Sequence, residues 1–411
     1  MKKKVCFVVE SIFSVGGVQR VTAVLAKELA KDCDVTIVTL DKPIAKDTSY
    51  YSLNEADIHY RFFSYPDTPR WKDFFCKAYS YLYRKILPQV RKTSDWYSHS
   101  SFPSEKRDAL GKELAEGHYD VIIGVHAPLS VRLAACRELL GKTKLIGWIH
   151  NSYEALFGKE SLYIGPELRK HYEWQLGKLD STVVLCQYDA QKYSIPTQVI
   201  HNPLTLIPGP VSEGTSKKFL AVGRFSHLHK GFDLLIEAFH IFARQNKEWT
   251  LDIVGEGVEE PMYRQLIKEY GLEDRTTIHP FTNHVQTYYS NAQVYVLSSR
   301  WEGFGLVLVE AMAHGLPVIS SDLPTSREIM GNFGLYFRNG DAKALARQML
   351  KVSQADWLSS SKEALEIASH FEIGNIIRQW YRIMDIQPHE THSAHKVHDS
   401  SSDNQQSNSP T

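Results

Sequence analysis

The sequence predicts two α/β domains in one chain, each a parallel sheet covered by helices on both faces. Three observations carry this. Short runs that are apolar on both faces alternate with stretches of helical periodicity, the alternation pauses at one Pro-, Gly- and Ser-rich segment, and it then resumes with the same rhythm. Strands without a polar face, joined by helices, belong to buried parallel sheets. At 411 residues the chain is long enough for two ordinary domains.

In the first half, Val5–Val9, Val35–Leu40, Val121–Val125, Lys144–Ile149 and Thr182–Cys186 read as buried strands. Between the first two, Val18–Ala30 places Val21, Val24, Leu25 and Leu29 at helical spacing. The lysines of MKKKVCFVVES imitate a secretory leader, but the apolar run stops at Glu10, so a first strand is expected. The pause is NPLTLIPGPVSEGT, Asn202–Thr215, a linker by composition. Beyond it, strands are expected at Phe219–Val222, Thr250–Val254, Thr276–His279, Val294–Ser298 and Pro317–Ser320. Helices are expected at Phe232–Gln245, Pro261–Tyr270, Val285–Asn291 and Leu306–His314. The expected division is an N-terminal domain over 1–203, a C-terminal domain over 204–370, a closing helix within 371–386 and a disordered tail over 387–411. The closing helix presents Ile376, Trp380, Tyr381 and Met384 on one side. The tail is polar and lacks aromatics, and its four histidines are read as solvated.

Composition removes several function classes. Formal net charge is zero, with 43% hydrophobic and 23% charged residues, so no global field recruits nucleic acid. The five cysteines, Cys6, Cys33, Cys76, Cys136 and Cys186, are scattered and odd in number, which fits buried thiols in a reducing cytosol and neither a disulfide framework nor a zinc site. No run of about 18 apolar residues occurs.

Four constellations can carry chemistry. Phe13–Arg20 (FSVGGVQR) joins the first strand to the first helix, and its pair Gly16–Gly17 lets backbone approach an anion. It is not a dinucleotide fingerprint, and the second strand ends with Asp41 as its only acidic candidate. Gly223–Gly231 (GRFSHLHKG) follows a strand and brings Arg224 and Lys230 to its carboxyl end, where a guanidinium fork and an ammonium suit phosphate oxygens. Ser299–Ile319 carries Glu302 in a Gly-flanked loop and Glu310 inside an apolar helix. A carboxylate at position 310 needs a partner. No Lys or Arg stands one turn away, and His314 is the only local candidate. The amides of Gly303, Phe304, Gly305 and Leu306 open that helix and suit a diphosphate. Finally, His150 in GWIHN ends a strand and so faces an interdomain crevice.

GRFSHLHKG, then VGEG, then EGFGLVLVEAMAHGLPVI resemble the retaining glycosyltransferases of family four, which have the GT-B fold: two Rossmann-like domains facing across a cleft. The match in order and spacing spans residues 219–330. VGGVQR, WIHN and VIHNP extend it more loosely into the first half. The resemblance implies roles. Arg224 and Lys230 would hold the donor diphosphate, and Gly16–Gly17 would approach it from the other domain. Glu310 would bond the ribose, Glu302 and the backbone after it the sugar hydroxyls, and Pro280, Phe281 and Thr282 would receive the base. His150 would contact the sugar near the reacting centre. Asn202 is followed here by Pro203 where the family often has glycine, which alters that loop. The implied reaction uses no cofactor or metal, since two cations and helix amides neutralise the leaving diphosphate.

Residues 61–92 hold eight Lys or Arg, two acids and nine aromatics. Trp71, Phe75, Ala78, Leu82 and Ile86 recur at helical spacing. Such a helix either lies on an anionic membrane, with Lys72, Lys77, Arg84 and Lys85 toward the headgroups, or packs its stripe on its own domain. The first reading points to a lipid-linked glycan acceptor at the inner face of the cell membrane, in polysaccharide assembly. A sugar-nucleotide epimerase and a non-catalytic nucleotide-sugar-binding scaffold are the other functions such a fold allows.

Overall fold

A computed structural model describes residues 2–387 except 160, 162, 227 and 228. The expected tail beyond 387 lies outside the described residues.

Two parallel sheets form. The first contains β1 (Lys4–Val9), β2 (Asp34–Thr39), β3 (Ile58–Phe62), β4 (Val121–Val125), β5 (Lys144–Trp148), β6 (Ser181–Val184) and β7 (Gln198–Val199), in the order β3-β2-β1-β4-β5-β6-β7. The second contains β8 (Lys218–Val222), β9 (Thr250–Val254), β10 (Thr276–His279), β11 (Val294–Leu297), β12 (Val318–Ser321) and β13 (Leu335–Phe337), in the order β10-β9-β8-β11-β12-β13. The apolar runs sit at the centres of these sheets: Val5 pairs with Val35 on one side and Val121 on the other, and Phe219 pairs with Leu251 and Val294. Each sheet reverses its winding once, between β1 and β4 and between β8 and β11. The carboxyl ends of strands at such a reversal leave an open crevice where α/β proteins bind ligands.

The closing helix, Ile373–Met384, crosses back to the first domain. Trp380 meets Trp148 edge to face at 4.8 Å, the Tyr381 hydroxyl donates to Asp32 at 2.7 Å, and Lys144 pairs with Asp385 at 2.6 Å. Leu204 N bonds Phe371 O at 2.7 Å, so the two crossings between domains are tied together.

The basic segment divides into β3, helix α2 (Arg70–Lys85) and part of helix α3 (Arg91–Ser101), where α1 denotes Gly17–Ala30. The α2 stripe does not pack on its own domain. Trp71 and Ile86 are each 68% exposed, and Phe74, Phe75, Ala78 and Leu82 are exposed with them. Tyr83, flanking the stripe, stacks on Tyr97 and is the one buried residue of the helix. Three of the four cations expected to face lipid are ion-paired, and the fourth, Lys85, is exposed. Lys72 holds Glu105, Lys77 holds Asp73 and Arg84 holds Glu167. Arg70, Lys85, Arg91 and Lys92 are exposed and have no ion pair among the described residues.

Candidate active site

The sequence constellations converge on the two crevices. The loop carrying Gly16 and Gly17 leaves β1, and the segment with His150 follows β5. The Arg224–Lys230 loop leaves β8, and the Glu302 loop leaves β11.

In the first domain, Asp41 accepts from Ile12 N at 2.9 Å and from the Thr39 hydroxyl at 2.8 Å, so it anchors the glycine loop. Tyr51 closes the loop's other side, its hydroxyl accepting from Gly16 N at 2.8 Å. Burial raises the Tyr51 hydroxyl, opposed by the Gly16 hydrogen bond and the charges of Arg20 and Arg224.

Gly124 and Gly147 are paired in register on β4 and β5. A Cβ on either would stand about 3.0 Å from Ser130, so the two glycines let helix Ala127–Ala135 settle onto the sheet. Ser130 Oγ lies 2.8 Å from both Gly124 O and His126 O, which fixes the end of β4. There His126 adopts φ 76°, a left-handed value rare outside glycine. Its ring lies 5.4 Å from that of His150. Burial lowers both imidazoles, His150 well below its ordinary value, so both are neutral at neutral pH. His150 Nε2 is buried and bonded to nothing among the described residues. A neutral ring nitrogen of this kind suits a ligand hydroxyl.

In the second domain the two crevice loops are joined to each other. Arg300 N bonds His229 O at 2.8 Å, the Ser298 hydroxyl bonds Lys230 O at 2.7 Å, and the His229 ring stacks on Trp301. Gly231, at φ 63°, is required here, because a Cβ would fall 2.1 Å from Ser298 O. Lys230 Nζ donates to Glu302 at 2.6 Å, and the Ser299 hydroxyl donates to the same oxygen at 2.6 Å. Burial raises the Glu302 carboxyl, but the Lys230 ammonium, His229 and the Ser299 hydroxyl outweigh it and hold it below the ordinary range. Arg224 is exposed and has no bonded partner among the described residues. A Cβ on Gly303 would lie 2.5 Å from His150 O, so the two domains touch at this point. Gly17 faces Leu306 across the cleft, and Leu306 opens the short helix Leu306–Met312 after Gly305 at φ 90°.

Glu310 lies on that helix with its side chain 2% exposed. His314, the local candidate partner, instead bonds Glu310 O through Nδ1 and accepts from Gly209 N through Nε2. The carboxylate is met by Arg20 of the first domain, by the Tyr289 hydroxyl at 3.0 Å and by the Thr205 hydroxyl at 3.4 Å.

Two family models match this chain. One described as Glycosyltransferase Family 4 spans residues 15–213, and one described as Glycosyl transferases group 1 spans residues 206–368. The chain is a family-four glycosyltransferase of the GT-B fold. An uncharacterized glycosyltransferase of Haemophilus influenzae is 27% identical over 397 residues, which is 93% of this chain and all of that one. A lipopolysaccharide 1,6-galactosyltransferase of Salmonella typhimurium is 33% identical over 131 residues, 30% of this chain and 36% of that protein. Among solved structures, HepE of Anabaena in complex with UDP-glucose aligns over 93% of this chain and 99% of its own, with a TM-score of 0.68 at 17% identity. TarM aligns over 94% of this chain and 99% of its own, with a TM-score of 0.70 at 14% identity. At these identities the structures speak for the fold.

The glycosyltransferase cleft thus gathers Gly16, Gly17, His150, Arg224, Lys230, Glu302 to Leu306 and Glu310. Pro280, Phe281 and Thr282 follow β10, two strands from the Lys230 loop, with Phe281 exposed. Three neighbours escaped the sequence reading. His126 ends a strand as His150 does, in VIIGVH, and that signal was present. Arg20 lies within the quoted FSVGGVQR segment. Tyr289 is an unremarked aromatic of a short helix and gave no signal.

Proposed function

We propose that this glycosyltransferase moves a hexose or N-acetylhexosamine from a UDP-sugar to a lipid-linked glycan in cell-surface polysaccharide synthesis. The transfer keeps the anomeric configuration and uses no metal ion. The observation that carries this reading is the placement, across one cleft, of Arg224, unpartnered among the described residues, and the Lys230–Glu302 pair opposite the buried, unbonded nitrogen of His150. Arg224 and Lys230 neutralise the diphosphate, with the amides from Gly303 to Leu306 beside them. Glu310 takes the ribose hydroxyls, and the loop Pro280–Thr282 takes the base. Glu302 takes hydroxyls of the sugar, and His150 meets the sugar from the opposite wall. The leaving phosphate oxygen receives the acceptor's proton on the face it vacates.

UDP is favoured because HepE, of the same fold, binds UDP-glucose. The galactosyltransferase and an O-antigen mannosyltransferase of Salmonella typhimurium, 29% identical over 182 residues, favour a glycan acceptor of the cell surface. A lipid-linked acceptor also fits α2. No helix among the described residues is long and apolar enough to cross a membrane, but α2 turns an aromatic stripe to solvent beside unpaired cations. These features support a peripheral seat on the inner face of the membrane.

The test is a screen of labelled UDP-, ADP- and GDP-sugars with lipid-linked glycan acceptors in excess EDTA, with the product anomer read by NMR. Transfer with retained configuration is expected. Activity lost to EDTA and restored by magnesium or manganese refutes the metal-free reading. Conversion of donor without acceptor into an isomeric nucleotide-sugar makes the protein an isomerase.

A further inference from the structure

The carboxylate assigned to the ribose has its cationic partner in the other domain. Glu310 is nearly sealed from water inside an apolar helix, and the only cation in contact with it among the described residues is Arg20, from the first turn of α1. The two residues are 290 apart in sequence and belong to opposite walls of the cleft. A buried carboxylate without a counter-charge is expensive, and swinging the group away relieves that cost. That response would lose the acceptor that a ribose needs.

The oxygens are also divided in a telling way. Tyr289 occupies one lone pair of Oε2. Arg20 Nη2 occupies one of Oε1, and the Thr205 hydroxyl reaches the same oxygen at a long 3.4 Å. Each carboxylate oxygen accepts two hydrogen bonds. One position therefore stays open on Oε2, and one on Oε1 is held only by the weak Thr205 contact. A vicinal diol needs one position on each oxygen, and it fills them without displacing Arg20.

We propose that Arg20 is the positioning residue of the ribose site: it holds the Glu310 carboxylate oriented for the diol, and because it comes from the facing domain, the site is complete only when the two domains are apposed as they are here. This inference rests on the proposed assignment of Glu310 to the ribose. It separates the nucleoside end of the donor, whose charged contact needs both domains, from the diphosphate end, whose cations Arg224 and Lys230 both come from the second domain.

The experiment is calorimetric titration of Arg20→Met, Arg20→Lys, Glu310→Gln and the Arg20→Met/Glu310→Gln double variant. The probes are inorganic pyrophosphate and whichever of UDP, ADP and GDP the wild type binds most tightly. Arg20→Met is expected to lower nucleoside diphosphate affinity at least tenfold and to leave pyrophosphate affinity within twofold of wild type. Arg20→Lys, which keeps the charge, recovers most of the loss. In the Glu310→Gln background Arg20→Met adds less than twofold. An Arg20→Met protein that binds the nucleotide as wild type does, or more tightly, overturns the inference. So does an equal loss of pyrophosphate affinity, which marks a general structural role. A wild type that binds none of the three nucleotides refutes the donor reading itself, and the inference falls with it.

Discussion

Replacing Lys230 by Met should damage stability and donor binding through separable causes. Lys230 and Glu302 are paired at 2.6 Å with side chains only 15% and 7% exposed. Removing one partner of a buried pair typically costs about 3–5 kcal/mol, because the other charge stays buried. Glu302 would keep the Ser299 hydroxyl, so the lower end, about 3 kcal/mol, applies. For a domain of this size each kcal/mol shifts the midpoint by about 2–4 °C, so the variant should melt roughly 6–12 °C early. Adding Glu302→Gln removes the stranded charge and should restore most of that loss. It should not restore nucleotide affinity, because the diphosphate still lacks an ammonium contact worth about 1.5–3 kcal/mol. Arg224→Met is the control. Its side chain is exposed and unpartnered among the described residues, so the midpoint should hold within about 1 °C while affinity falls by a comparable factor. Thermal unfolding and calorimetric titration on the four proteins read both quantities. The reasoning fails if Lys230→Met melts with the wild type, or if the double variant melts no higher than the single.

Two further outcomes follow from the same structure. The protein should sediment with anionic phospholipid vesicles at low salt and release as salt rises. Replacing Arg70, Lys85, Arg91 and Lys92 together should abolish this, at about 1 kcal/mol per cation, and so should Trp71→Ala with Ile86→Ser; binding that survives both sets makes the exposed stripe irrelevant to lipid. The second outcome concerns pH. His171, bonded to the Ser94 hydroxyl at 2.8 Å, is pushed down by burial from an ordinary 6.5 to about 4. Its folded pKa lies below its unfolded one, so its contribution is complete above about 6.5 and is lost as pH falls toward 4, on the order of 3 kcal/mol in all. Urea unfolding at several pH values should show that decline flattened in His171→Gln, and an unchanged slope would assign it to other groups.

The parts of this molecule that were legible in its sequence are those whose geometry is set locally. Apolar runs such as Val5–Val9 and Val294–Ser298 identify buried strands because a parallel sheet covers both faces. The motifs at Arg224 and Glu302 then fall at the winding reversal of the second sheet without further information. β3 was missed because Ile58–Phe62, IHYRF, is an edge strand whose outer side chains are polar and only partly buried. The orientation of α2 was equally hidden. Its stripe has the spacing of a packed helix, and only the tertiary structure shows that Tyr83 faces inward and Trp71 outward. The partner of Glu310 could not be found by local spacing, because helical neighbours determine pairing only within a turn or so.

The two glutamates therefore differ in kind, although they lie eight positions apart in one motif. Glu302 receives its counter-charge from Lys230, on a loop of the same sheet, and the two loops are joined by backbone and hydroxyl bonds. That counter-charge stays in place whatever the first domain does. Glu310 receives its counter-charge from across the cleft, so its environment changes whenever the domains separate. A hinge motion would thus leave the assigned sugar and diphosphate contacts of the second domain organised while dismantling the ribose contact. Binding energy from the nonreacting nucleoside would then be available to hold the domains together, and closure of this kind brings His150 against the Glu302 loop, where the proposed chemistry occurs.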